Sequence, residues 1–132
     1  MGQVWKAWDR QREETVAVKL LHGQVITEEW LRSFRGEMEV LQRLRHPGIV
    51  AFRGLEKDAE QGFFFVMEWF DGQPLSNLLE QARREGAQSP ITPSASLVLL
   101  KQLVEALDGA HQQGFLHLDL KPGNILLAED GQ

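Results

Sequence analysis

The chain has 132 residues, 42% of them hydrophobic and 25% charged, proportions of one soluble globular domain and not of a disordered segment. Its formal charge of −5 argues against a nucleic-acid binder, which needs clustered Lys and Arg to neutralise phosphates, but leaves room for a local basic pocket. Cysteine is absent, so disulfide and thiolate chemistry are excluded and a reducing, cytoplasmic setting is expected; no apolar run approaches the length of a membrane span.

Residues 3 to 8 and 15 to 21 read as strands, with the polar "DRQREE" as the turn between them. In the second strand alternation puts Ala17, Lys19 and Leu21 on one face and Val16, Val18 and Leu20 on the other. Thr27 followed by Glu28 and Glu29 is a helix start. Helical spacing of Trp30, Phe34, Met38 and Leu41 carries that helix to about Arg45, before Pro47 and Gly48 end it. Strands are expected near 49 to 55 and 62 to 68. The unbroken "FFFVMEWF" reads as a strand buried on both faces. "DGQP" punctuates the chain; a short helix at about 75 to 85 follows. Thr92 and Pro93 then open a helix to Gln113. That helix is apolar nearly all round, with Leu97, Leu100, Val104 and Leu107 on one stripe, and is expected to be surrounded by other elements. Strands first and helices afterwards is an α+β order.

Two charges stand in buried-looking elements. Glu37 lies along the apolar stripe of its helix, and Lys19 interrupts an apolar strand. A buried unpaired charge is costly, so either each reaches solvent at the edge of its element or the two find one another. Near the end of the chain "HLDLKPGN" (117–124) holds a histidine, an aspartate, a lysine and an asparagine. Asp119 and Asn124 can offer oxygens to a hard cation such as Mg²⁺, and Asp119 can accept a hydroxyl proton. Taken singly, each residue reads first as a cap or an Asx turn around the Pro122–Gly123 bend.

Taken in order, these segments resemble a protein kinase of the serine/threonine type over essentially the whole chain. "VAVK" resembles the strand whose lysine contacts the ATP α and β phosphates, which implies that role for Lys19. "FRGEMEVLQRLRHPGIV" resembles the helix that supplies the glutamate partner, here Glu37. "FVMEWFDGQPL" is similar to the last small-lobe strand and hinge, with Met67 as gatekeeper and the backbone of Glu68 and Phe70 at the adenine edge. "HLDLKPGN" resembles the catalytic loop. The resemblance makes Asp119 the base or orienter for the substrate hydroxyl, Lys121 the partner of the γ phosphate and Asn124 a Mg²⁺ ligand. By the same analogy Val4, Ala17 and Leu126 sandwich the adenine. The implied fold is a truncated two-lobe kinase fold: residues 1–70 form an antiparallel-sheet small lobe without its first strand, and 71–132 begin the helical large lobe. The implied cofactors are ATP and Mg²⁺ and the implied partner is a protein substrate.

Three departures qualify the resemblance. "MGQV" matches only the tail of the glycine-rich loop of bacterial members, with Gly2 as its last glycine, so Met1 is expected to be an internal methionine with coding sequence upstream. The Asp-Phe-Gly motif does not occur in these residues, so this chain alone is expected to be inactive as a kinase and, with its long helix uncovered, prone to self-association. Leu118 stands where most such kinases carry arginine, so activation-loop phosphorylation read through this position is not expected to be required. Two alternatives stand beside it: a small-molecule kinase of the aminoglycoside or choline type, which shares the loop pattern and towards which Leu118 tilts, and, from a different class, a non-catalytic pseudokinase or regulatory fragment. Lys121, "HPGIV" and "VAVK" favour the protein kinase over the first, and the retained Lys19, Glu37, Asp119 and Asn124 favour it over the second.

Overall fold

The polar run after residue 9 folds back on one side chain. Asp9 Oδ1 accepts from the N–H groups of Gln11 (2.9 Å) and Arg12 (3.1 Å), and Oδ2 pairs with Arg12 Nη1 at 2.7 Å. This turn joins strands β1 (Val4–Asp9) and β2 (Glu14–Leu20). The computed structural model describes residues 4–21, 26–86 and 91–128; Gly2, expected to close the glycine-rich loop, lies outside them.

Helix α1 (Glu28–Arg43) starts as its sequence dictates, with Thr27 Oγ1 accepting from Trp30 N at 3.1 Å and Glu28 and Glu29 in the first turn. It ends slightly before the expected Arg45. The Arg45 guanidinium instead donates to the carbonyls of Gln42 (2.7 Å) and Leu44 (2.9 Å), satisfying groups that the helix end leaves open.

Strands β3 (Phe52–Asp58) and β4 (Gly62–Glu68) follow. The first begins later than expected because residues 46 to 49 form a turn, held by Gly48 N donating to His46 Nδ1 (3.0 Å) and Ile49 N to the His46 carbonyl (3.0 Å). The sheet is antiparallel with order β1-β2-β4-β3. Val4 lies opposite Lys19 and Lys19 opposite Phe65, while Lys6, Ala17 and Met67 form the next rung. Opposed residues share a face, so Val4, Lys6, Ala17, Lys19, Phe65 and Met67 all line one side. Helix α1 covers part of that side through an aromatic chain. Trp30 stacks on Phe34 (4.6 Å between ring centroids), Phe34 meets Phe65 (5.8 Å) and Phe65 meets Phe52 edge-on (5.6 Å). The expectation that "FFFVMEWF" is buried on both faces is corrected: of this run only Val66 is buried, and Phe63 to Phe65 are half-buried.

Helices α2 (Leu75–Arg84) and α3 (Pro93–Gln112) match the sequence reading closely. Thr92 Oγ1 accepts from Ala95 N at 3.2 Å, with Pro93 opening the helix. Replacing Thr92 with alanine is expected to cost about 1 kcal/mol, seen as a lower denaturant midpoint with unchanged slope; an unchanged midpoint would show that the cap contributes nothing.

One feature escaped the sequence. A two-stranded ribbon pairs β5 (Gly72–Pro74) with β6 (Leu126–Ala128), extended by Leu75 N donating to the Ile125 carbonyl at 2.8 Å. It ties the end of the β4 segment to the chain just after residues 117–124. Helix α3 is largely uncovered, as expected for these residues taken alone. Its buried residues are the small ones, Ala106 and Ala110, whereas Leu97 is 68% and Val104 63% exposed. The 45–48 turn lies against the small face. A Cβ on Gly109 would stand 2.7 Å from His46 Cδ2 and one on Gly48 3.2 Å from Ala106 Cβ, and Gln113 exchanges weak hydrogen bonds with the backbone of Arg45. Alanine and glycine let the turn approach closely; Leu97 and Leu100 are exposed, and Leu99, Leu103 and Leu107 are half-buried.

Candidate active site

The loop after α3 bends through a 3-10 turn at Pro122–Asn124, where Asn124 N donates to the Lys121 carbonyl at 2.9 Å. That bend returns Asn124 to Asp119. Asn124 Nδ2 donates to the Asp119 backbone carbonyl (2.7 Å) and to its carboxylate Oδ2 (3.1 Å), and Lys121 Nζ meets the same Oδ2 at 2.6 Å. The Lys121 ammonium, and then the Asn124 amide, hold the Asp119 carboxyl below the usual carboxylate range. Asp119 is thus an ionised, solvent-facing acceptor at neutral pH. With its amide nitrogen committed to Asp119, Asn124 keeps its Oδ1 free of hydrogen bonds among the described residues. An uncommitted amide oxygen beside a carboxylate suits a hard, oxygen-seeking cation such as Mg²⁺.

The sheet brings together another part of the expected site. Val4, Ala17, Lys19 and Met67 share the face that α1 partly covers. Val4 is exposed, Met67 and Lys19 are half-buried and Ala17 is buried. Glu68 uses its backbone N–H to donate to the Ala51 carbonyl (2.8 Å), and its carboxylate accepts from Ala51 N (3.2 Å). Phe70 lies beyond the end of β4, and Leu126 starts β6 opposite Pro74.

One expected contact is corrected. Lys19 and Glu37 form no ion pair within 4.0 Å; Lys19 has no carboxylate partner among the described residues, and Glu37 is exposed. The cause lies in the packing of α1. Phe34, stacked on Trp30, takes the contact with Phe65, and Glu37, at the margin of that stripe, is left in water. A solvated carboxylate has no desolvation penalty to offset, so nothing drives it towards Lys19.

Sequence reasoning also missed a cluster beside this face. Lys6 Nζ lies 3.5 Å from Asp71 Oδ1 and 4.7 Å from the Trp69 ring centroid, while Trp69 Nε1 donates to Asp71 Oδ1 at 2.6 Å. Its members come from separated segments, and no local pattern announces their meeting.

A strand-borne lysine, a helix packed on the same sheet face and an aspartate–lysine–asparagine loop after a long helix define a protein kinase domain. The family model for that domain matches residues 1–132, and the chain belongs to the protein kinase family. Its relatives include serine/threonine-protein kinase PknA of Mycobacterium tuberculosis, 35% identical over 137 residues, which cover 100% of this chain and 30% of PknA. Serine/threonine-protein kinase PkaA of Streptomyces coelicolor is 36% identical over 144 residues, covering 98% of this chain and 25% of PkaA. Among solved structures, the Mycobacterium tuberculosis PknI kinase domain superposes with a TM-score of 0.77 at 29% identity, over 98% of this chain and 51% of that one. The chain therefore spans under a third of the length of these curated relatives and about half of the solved kinase domain. Both curated relatives are named serine/threonine-protein kinases, and members of the protein kinase family use ATP and Mg²⁺. No helix among the described residues is long and apolar enough to cross a membrane.

Proposed function

We propose that this chain is the nucleotide-binding and catalytic-loop half of a cytoplasmic kinase domain that transfers the ATP γ-phosphoryl group to serine or threonine hydroxyls of proteins. Residues 1–70 act as its small lobe and 71–132 open its large lobe. The observation that carries this reading is the Asp119 carboxylate clasped between Lys121 and Asn124. Asp119 accepts the proton of the substrate hydroxyl, Lys121 faces the transferred phosphoryl group, and Asn124 Oδ1 holds Mg²⁺. Bound Mg²⁺ supplies charge neutralisation at the phosphates, which with positioning is most of what phosphoryl transfer requires. Lys19 serves the α and β phosphates from the sheet face that also presents Val4, Ala17 and Met67 to the adenine, with the backbone of Glu68 and Phe70 at its edge. Leu126 completes the enclosure. Glu37 reaches Lys19 only after α1 turns inward.

These residues contain no Asp-Phe-Gly motif, the family's second source of metal ligation, so the 132-residue chain by itself binds nucleotide without turning it over. The test is calorimetric titration of Mg–ATP into the chain and into Lys19→Met. Loss of a hydrogen-bonded charge contact is expected to weaken binding about tenfold or more. Equal affinities in the two proteins would remove Lys19 from the site, and no binding by the unaltered chain would refute the nucleotide reading.

A further inference from the structure

Among the described residues strand β1 is hydrogen-bonded to β2 alone, at the edge of the sheet. Its one side-chain tie to the segment that joins the sheet to the helices, among the described residues, is Lys6. Lys6 sits on the sheet face of Val4, Ala17 and Lys19, one rung along from the Val4–Lys19 pair. Trp69 and Asp71 belong to the stretch between β4 and β5. A single oxygen, Asp71 Oδ1, receives both the Trp69 ring N–H at 2.6 Å and the Lys6 ammonium at 3.5 Å, and the ammonium stands over the ring of that same tryptophan. Cation, ring and carboxylate therefore touch pairwise. Exposed ion pairs and cation–π contacts are individually weak. Here, however, each contact orients a partner of the other two, so the loss of any one loosens all three.

We infer that Lys6, Trp69 and Asp71 form a latch that fastens the edge strand to the interlobe segment and slows nucleotide release from the face beneath it. Lys6 is on this view a positioning residue for the nucleotide. The part concerning nucleotide rests on the function proposed above; the latch itself does not. The Trp69 N–H, and secondarily Lys6, lower the Asp71 pKa, which keeps the carboxylate charged at neutral pH and the latch closed there.

The test is hydrogen exchange by mass spectrometry on the nucleotide-free 132-residue chain. The variants are Lys6→Met, which keeps the aliphatic stem, Asp71→Asn, and the double variant. Arg84→Gln, which removes an exposed ion pair with Glu80 elsewhere on the surface, is the control. Lys6→Met is expected to speed exchange at residues 69–72, and Asp71→Asn at 4–9, by about two- to fivefold, the range an exposed pair supports. The double variant is expected to match the larger single effect, and the control to leave both segments alone. Unchanged exchange at 69–72 in Lys6→Met, or simple multiplication of the two effects, would overturn the latch. Dissociation of a fluorescent ATP analogue then reads the positioning role: faster release from Lys6→Met supports it, and equal release alongside coupled exchange overturns it. If the unaltered chain does not bind the analogue, the nucleotide reading falls, and the exchange data still decide the latch.

Discussion

In a polypeptide that completes the kinase domain, Asp119→Asn is expected to lower kcat by about 10²–10⁴-fold, the usual contribution of a positioned general base, with ATP affinity nearly unchanged. The carboxylate is held between two donors, Lys121 Nζ and Asn124 Nδ2, both on Oδ2. An amide there loses the charge that makes it a proton acceptor and can turn an N–H₂ against the lysine ammonium. Because Lys121 and Asn124 lower the Asp119 pKa, the acid limb of kcat is expected to lie below the usual carboxylate range. Activity is full above it and is lost as pH falls through the depressed value. Lys121→Met removes the larger of the two causes and should move that limb upward. Stopped assays across pH check both statements; a kcat within twofold of the parent in Asp119→Asn would remove the residue from the chemistry.

Gly72→Ala is expected to open the β5–β6 ribbon. A Cβ at this position would lie 2.3 Å from the Leu127 carbonyl oxygen and 2.5 Å from Phe70 Cε1. The first of these is backbone and cannot swing aside, so the two strands must separate. Overpacking of this kind costs about 1–3 kcal/mol. Since the ribbon joins the end of the β4 segment to the chain after the Asp119 loop, the change should be local. Amide exchange at residues 126–128 is expected to accelerate while the β2–β4 ladder keeps its protection. Uniform loss of protection throughout the chain would mean that the ribbon holds more of the fold than its length suggests; no change at 126–128 would mean that the close approach is readily relieved.

What the sequence disclosed follows the range of the forces involved. Thr27 with Glu28 and Glu29, and Thr92 with Pro93, act within one helical turn, and both helices begin where those residues place them. Alternation in residues 15 to 20 placed Ala17 with Lys19, as the strand register bears out. The kinase family was legible because its motifs are themselves local strings. The Asp119–Asn124 contact is likewise local, made across one 3-10 turn. The ribbon was not legible: strands as short as Gly72–Pro74 and Leu126–Ala128 carry no periodicity, and their partners are distant in sequence. Nor was the state of the Lys19–Glu37 pair. A motif names two residues able to meet, but where α1 sits depends on how Phe34, stacked on Trp30, packs against Phe65. Composition marked α3 as a helix that prefers cover, and its exposed Leu97 and Val104 bear out the expectation that it stands uncovered in these residues.

The seam between the 45–48 turn and α3 has an entropic consequence. Ala106, Gly109 and Ala110 have no side-chain rotamers to lose when they are covered, so joining the two parts of the chain there freezes little beyond the His46 ring and the Gln113 amide. The joint is thus inexpensive to form and intolerant of enlargement. A leucine-lined contact of the same extent would bury more apolar surface but would lose rotamer freedom at each position and leave room for alternative packings. A joint made of backbone, methyl groups and one ring has a single way to close.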